Sequence, residues 1–271
     1  MPELPEVETT CQGIRTTLQD SLINEIIVRN PNLRWPIPIE ITKLKKIKIL
    51  NVTRRAKYIL LTTNKGTLII HLGMSGRLSI LTQNTENPKK HDHVDFILNN
   101  NYIMRYTDPR RFGAILWTTE CPTQYPLLAK LGCEPLTKDL TAPYLLQWAK
   151  RKKIFIKQFI MDQQIVVGVG NIYANEALFL AKISPLRLSN TLTLLDYQNL
   201  IKSIKKVLKE AIKQGGTTLR DFMTPEGKHG YFAQKLAVYG REGRPCLRCG
   251  ETLLSSRIGQ RATVFCAICQ N

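Results

Sequence analysis

Eight short apolar runs punctuated by turn signals, a helical pattern after them, and two CxxC pairs at the far end predict a multidomain α+β protein. The predicted order is an N-terminal β-sandwich with one leading helix, a helical domain, and a C-terminal zinc finger. The leading helix is read from Val7, Cys11, Ile14 and Leu18, which share one face, and Pro5 suits its first turn. Strands are expected over 25–28, 47–52, 58–62, 67–72, 78–81, 94–98, 102–106 and 114–117, with turns at Asn64-Lys65-Gly66 and Asn99-Asn100-Asn101. Regular short strands of this kind suggest a sandwich or barrel.

The stretch 121–141 carries Pro122, Pro126, Gly132 and Pro135 and little periodicity, so it is read as a linker between a first domain over 1–120 and a second over 142–236. In the second domain, a helix near 143–153 ends in the basic run Lys150-Arg151-Lys152-Lys153. Thr193 and Asp196 predict a capping box. Leu200, Ile204, Val207, Leu208 and Ala211 then line one face of a helix that Gly215 closes. The lysines at 202, 205, 206, 209 and 213 fill the rest of that helix and read as a solvated face. Between two helical segments, Gly168-Val169-Gly170-Asn171 forms a glycine turn at a helix start, a place where backbone amides meet anions. A dinucleotide site would need a third glycine where Tyr173 stands, together with a βαβ setting.

Cys246 and Cys249 are separated from Cys266 and Cys269 by sixteen residues, in a domain read as 237–271. That is zinc-ribbon spacing, and four thiolate ligands leave no open coordination position, so one structural zinc per chain is expected. The residues before the helix include no basic region and no apolar run of secretory length, so reduced cysteines and a cytoplasmic location are expected rather than disulfides. Thirty-nine Lys and Arg against 21 Asp and Glu give a formal charge of +18 and a pI near 9.7, pointing to a polyphosphate partner. A membrane partner is not expected, because no apolar run is long enough to span a bilayer.

The chain begins Met1-Pro2-Glu3. Removal of Met1 exposes the secondary amine of Pro2, and an α-amino group with a pKa near 8 is roughly a tenth unprotonated at neutral pH. Such an amine attacks a sugar aldehyde carbon to form a Schiff base, and Glu3 stands beside it as general acid or base. The competing reading is that the prolines and glutamates only start a helix.

Taken together, MPELPEVET, RRAKYIL, HLGMSGRL, KHDHVD, TDPRRFG, VVGVGNIYANEALF, GGTTLRDF, GYFAQKLAVYGREGRPC and the two knuckles joined through RATVFC resemble the formamidopyrimidine-DNA glycosylase family from 1 through 270. The resemblance implies a β-sandwich, a helix-two-turn-helix domain and a zinc finger, with DNA across the cleft between domains. It implies base-excision repair of oxidised purines, 8-oxoguanine and formamidopyrimidines, by a monomer that also cleaves abasic sites through β,δ-elimination. By the same resemblance Pro2 is the nucleophile, Glu3 the acid/base and Lys57 the lysine at the lesion phosphate. Lys157, Asn171, Tyr239 and Arg261 match phosphate-gripping positions; Met74, Arg110 and Phe112 match the filler of the space left by an extruded base, with Arg110 facing the orphaned cytosine. His71, His91 and His93 lack a metal-ligand set and read as structural or phosphate-contacting, and Arg220 lies in a lesion loop near 216–231. The related endonuclease VIII type and a non-catalytic zinc-ribbon DNA-binding protein are the alternatives. Leu4 and Arg110-Arg111-Phe112 look more like the purine enzyme.

Overall fold

The structure is a computed structural model that describes residues 1–83, 87–216 and 236–271. The expected loop residue Arg220 lies outside the described residues. Two compact units are distinguished: Met1–Ala129 together with the described residues from 214 to 216, and Lys130–Lys213 together with the described residues from 236 onward. The finger therefore groups with the helices, because Phe179, Val238, Cys246, Leu253, Val264 and Cys266 share one small core.

The first unit starts with α1 (Leu4–Leu18), followed by strands β1 (Leu22–Val28), β2 (Ile47–Arg55), β3 (Tyr58–Thr63), β4 (Thr67–His71), β5 (Arg77–Thr82), β6 (Asp92–Leu98), β7 (Tyr102–Thr107) and β8 (Ala114–Thr118), with the short α2 (Ile39–Thr42) between β1 and β2. Every predicted strand is present. The order β5-β7-β6-β1-β2-β3-β4-β8 is antiparallel throughout. Only Leu22↔Lys48 and Ile23↔Ile47 register β1 on β2, so two four-stranded halves meet at a narrow seam. Side chains from both halves, including Phe96 and Met104 on one and Val52, Leu61 and Ile70 on the other, enter a single apolar core with α1.

α1 is rich in Thr and β-branched residues, which cost up to about 0.7 kcal/mol each in a helix. Packing overrides that preference: Leu4, Val7, Cys11, Ile14 and Leu18 are almost fully buried, and each large side chain so buried contributes about 1.5–3 kcal/mol. Its N-terminus is set by a capping box in which Glu6 Oε2 accepts the Glu3 amide at 2.8 Å.

The first unit ends on α3 (Pro126–Ala129), and the second contains α4 (Ala142–Ala149), α5 (Ile156–Met161), α6 (Asn171–Ala181), α7 (Leu194–Lys213) and the hairpin of β9 (Leu254–Ile258) and β10 (Arg261–Phe265). The predicted box at the start of α7 closes both ways, Asp196 accepting the Thr193 amide at 3.0 Å and Thr193 Oγ1 accepting the Asp196 amide at 3.1 Å. Gly215, at φ 75°, follows its end as expected.

Candidate active site and nucleic-acid interface

α1 lies antiparallel along β2. Arg54 Nε donates to Glu8 Oε2 at 2.9 Å, the Cys11 thiol to the Thr53 carbonyl, and Arg15 Nε to the Val52 carbonyl. Farther down, Gln19 Nε2 donates to the Leu50 carbonyl. This register carries the start of α1, with Pro2 and Glu3, toward the β2–β3 turn formed by Ala56 and Lys57. Ala56 holds the left-handed conformation, φ 53°, that so tight a hairpin needs, and Arg54 Nη1 braces its carbonyl at 2.8 Å. Pro2, Glu3 (4% exposed) and Lys57 (8%) are all buried. Gly216 packs against the side chain of Glu6 at the same helix end.

Tyr58 is registered opposite His71, and their rings lie 4.9 Å apart. Burial, then the positive charges of Lys57 and Arg34, push the His71 imidazole down to about 4. Its Nδ1 accepts the Gly73 amide at 3.0 Å, leaving Nε2 as the donor of a neutral ring. Beyond it, Met74 is half-buried, whereas Arg110 and Phe112 are exposed, with the Arg110 guanidinium 4.9 Å over the Phe112 ring. An exposed aromatic ring beside a cation offers a face on which a base can stack. His91 is half-buried beside His93, whose Nε2 bonds the Asp108 carbonyl at 2.8 Å.

In the second unit Gly170 caps α6 without a side chain, and Gln163 holds the glycine turn by accepting the Gly168 amide at 3.0 Å. The Oδ1 of Asn171 is buried with no hydrogen-bond partner among the described residues, so that oxygen is not tied down by the fold. Arg261 is exposed immediately after the β9–β10 turn, where Gly259 and Gln260 both have positive φ, the signature of a twist-compatible hairpin. Tyr239 is half-buried.

Lys157 lies on α5. It is 1% exposed, and its ammonium donates to the Ala262 carbonyl at 2.8 Å and Thr263 Oγ1 at 2.7 Å. These bonds hold it against β10, the strand that carries Arg261.

Two residues that the sequence reading missed hold the finger in the same way. Glu176 on α6, 5% exposed, accepts the amides of Ala237, Val238 and Tyr239 at 2.8, 3.0 and 2.9 Å. Burial raises its pKa, and those three amides only partly offset this. Asn175 accepts the Val264 amide at 3.0 Å. The available signal was a polar Asn-Glu pair inside an otherwise apolar helical run.

The four sulfurs of Cys246, Cys249, Cys266 and Cys269 lie within 4.8 Å of one another. A tetrahedral centre with bonds of about 2.3 Å spaces its sulfurs by about 3.8 Å, so only small adjustments separate this cluster from a closed metal site. Backbone amides of Arg248 and Cys269 point at the sulfurs of Cys246 and Cys266, each at 3.4 Å. Burial raises the Cys246 thiol, yet hydrogen bonds from the Arg248 and Cys249 amides and from the neighbouring cysteines outweigh it and bring the group to about 7, while burial and the neighbouring sulfurs push Cys269 up to about 12, so the thiols of the cluster shift in opposite directions.

Comparison with known proteins agrees with this geometry. Residues 1–115 match the model of the formamidopyrimidine-DNA glycosylase N-terminal domain, and residues 131–223 that of its H2TH domain. The formamidopyrimidine-DNA glycosylase of Photobacterium damsela subsp. piscicida is 55% identical over 270 residues, covering 100% of each chain. That of Hydrogenovibrio crunogenus is 54% identical over 271 residues, 100% of this chain and 96% of the relative. Among solved structures, MutM (Fpg) from Thermus thermophilus superposes with a TM-score of 0.88 at 34% identity, over 99% of this chain and 98% of that one. A Lactococcus lactis Fpg variant in complex with Fapy-dG-containing DNA gives 0.90 at 30% identity over 100% of both chains. Two domain models and full-length relatives above half identity lead to one conclusion: the chain belongs to the formamidopyrimidine-DNA glycosylase family.

Proposed function

We propose that this chain is a base-excision repair DNA glycosylase with AP lyase activity, acting on oxidised purines in double-stranded DNA. The observation that carries the reading is the antiparallel register of α1 on β2, which directs the buried Pro2-Glu3 start toward the Lys57 turn. While Met1 is attached, the Pro2 nitrogen is an amide and inert. Once Met1 is removed, its lone pair attacks C1′ of the damaged nucleotide, the glycosidic bond breaks and the base departs as the pair on the base nitrogen is protonated. Glu3 assists by protonating the ring oxygen as the sugar opens. The resulting iminium withdraws electrons from C2′; loss of a C2′ proton expels the 3′ phosphate, and a second elimination expels the 5′ phosphate. Lys57 holds the phosphate beside the lesion.

Met74, Arg110 and Phe112 fill the space of the extruded base, which reduces the few kcal/mol that unstacking costs. Asn171, Tyr239, Arg261 and His91 supply backbone contacts, and Lys157 supports them through β10. The four cysteines hold one structural zinc, whose chemistry is to fix the finger; Arg261 on that finger meets phosphate. Support for a DNA partner comes from the charge of +18, and from relatives solved with Fapy-dG DNA and with abasic-site DNA. Among the described residues no helix is long and apolar enough to cross a membrane.

The test is incision of oligonucleotide duplexes carrying 8-oxoguanine, thymine glycol or an abasic site. Preferential cutting at 8-oxoguanine and at the abasic site is expected. Preference for thymine glycol over 8-oxoguanine would move the chain to the oxidised-pyrimidine type.

A further inference from the structure

Two loops of the first unit carry these side chains: 72–76 bears the half-buried Met74, and 108–113 bears the exposed Arg110 and Phe112. A single buried carboxylate joins them. Asp108 is 0% exposed; its Oδ1 accepts the Ser75 hydroxyl at 2.6 Å, and its Oδ2 accepts the Gly113 amide at 2.9 Å and the Tyr106 hydroxyl at 3.1 Å. Ser75 Oγ in turn accepts the Arg110 amide at 3.1 Å. The first loop is closed by the Gly76 amide on the Leu72 carbonyl at 2.8 Å, the second by the Arg111 amide on the Asp108 carbonyl at 3.2 Å.

The loops also meet without a gap. Gly73 has φ +62°, and a Cβ there would overlap the backbone of Phe112; a Cβ at Gly113 would overlap the Tyr106 hydroxyl. At Gly73 the two loop backbones therefore pass in direct contact. Charge-assisted bonds to a carboxylate of this kind are stronger than neutral ones, so the joint between the loops is stiff.

We propose that Asp108 and Ser75 are positioning residues of the extrusion step: they clasp the two loops so that Met74, Arg110 and Phe112 enter the duplex as one rigid element. The proposal rests on the reading of those three residues as the base-replacing wedge. A tip on a compliant loop is pushed back as the base pair restacks, whereas a clasped one holds the opened state. Strand cleavage at an abasic site has no base to extrude and does not draw on the clasp.

Single-turnover rates are measured for excision of 8-oxoguanine from an intact duplex and for cleavage at an abasic site, with the same preparation of full-length protein. Ser75→Ala is the main variant, since it removes one hydroxyl and leaves the carboxylate its Gly113 and Tyr106 partners; Asp108→Asn is the second. Ser75→Ala is expected to lower the ratio of the two rates about ten-fold, the effect of losing one hydrogen bond to a charged group. With Met74, Arg110 and Phe112 all replaced by alanine, the same change should lower the ratio no further, because the clasp then has no wedge to hold. A variant that is merely less stable loses both rates together and keeps the ratio. If Phe112→Ala lowers the ratio but Ser75→Ala and Asp108→Asn do not, or if Ser75→Ala lowers it further in the variant that lacks all three wedge side chains, the clasp is refuted and the wedge stands. If Phe112→Ala leaves the ratio unchanged, the wedge falls and the clasp with it.

Discussion

Glu176→Ala removes a carboxylate that is 5% exposed and leaves three backbone amides, at Ala237, Val238 and Tyr239, without their acceptor. Hydrogen bonds to a charged group contribute about 1.5–3 kcal/mol each, which for three bonds sets an upper bound. Two effects reduce it. Burial of the carboxylate works against the folded state, as its raised pKa indicates, and Ala237 and Tyr239 are near enough to the surface for water to reach their amides once the side chain is gone. A net local loss of about 2–4 kcal/mol is expected. The assay is amide hydrogen exchange at 237–239, where that loss predicts a fall in protection of about 30- to 1000-fold. Glu176→Gln, which keeps one oxygen but sets an NH2 group against an amide, should fall between wild type and alanine. Protection at 237–239 unchanged within a few-fold in the alanine variant would refute the claim that Glu176 anchors the start of the finger.

Other consequences follow from charge and metal. Burial raises Asp95, but Arg105 and Arg29 outweigh this and hold its folded pKa below the unfolded value, so its stabilisation is present above about pH 4 and is lost as pH falls through the folded pKa. Asp95→Asn should therefore lower the denaturation midpoint at pH 7 and flatten the acid limb of the stability curve, measured by urea titration at several pH values. Cys266→Ser should abolish binding of one zinc per chain, read by elemental analysis, and unfold the β9–β10 hairpin; full zinc content in that variant would exclude the four-cysteine site. Arg261→Ala should reduce the log–log salt slope of DNA binding by about 0.9, checked by fluorescence anisotropy across a salt series.

What was legible in the sequence was local. The eight strands follow alternating apolar runs and turn residues, and the Thr193–Asp196 box was readable because both partners lie within one helical turn. The chemistry proposed for Pro2 depends only on its covalent position after Met1, so it needs no tertiary contact to be suggested. Interactions across long sequence separations were not. Lys157 meets Ala262 and Thr263 more than a hundred residues away, and as a lysine inside an apolar run it was ambiguous without the family resemblance. Ser75 and Asp108 are 33 positions apart, and nothing in either residue type announces that they share a bond. The finger read as a domain of its own because its cysteines are a self-contained motif, whereas its core is completed by Phe179 of α6. Lys57 acquired a role only through family resemblance; the structure adds that it is buried on the turn toward which α1 points.

The central claim is that the N-terminal amine of Pro2 is the nucleophile. Borohydride reduction of the processed protein on 8-oxoguanine DNA, followed by peptide mapping of the adduct, tests it directly. The account predicts a stable cross-link on the N-terminal peptide, attached through the Pro2 nitrogen, and none from protein that retains Met1. Normal trapping by protein with a blocked N-terminus, or an adduct mapped to Lys57, would contradict it.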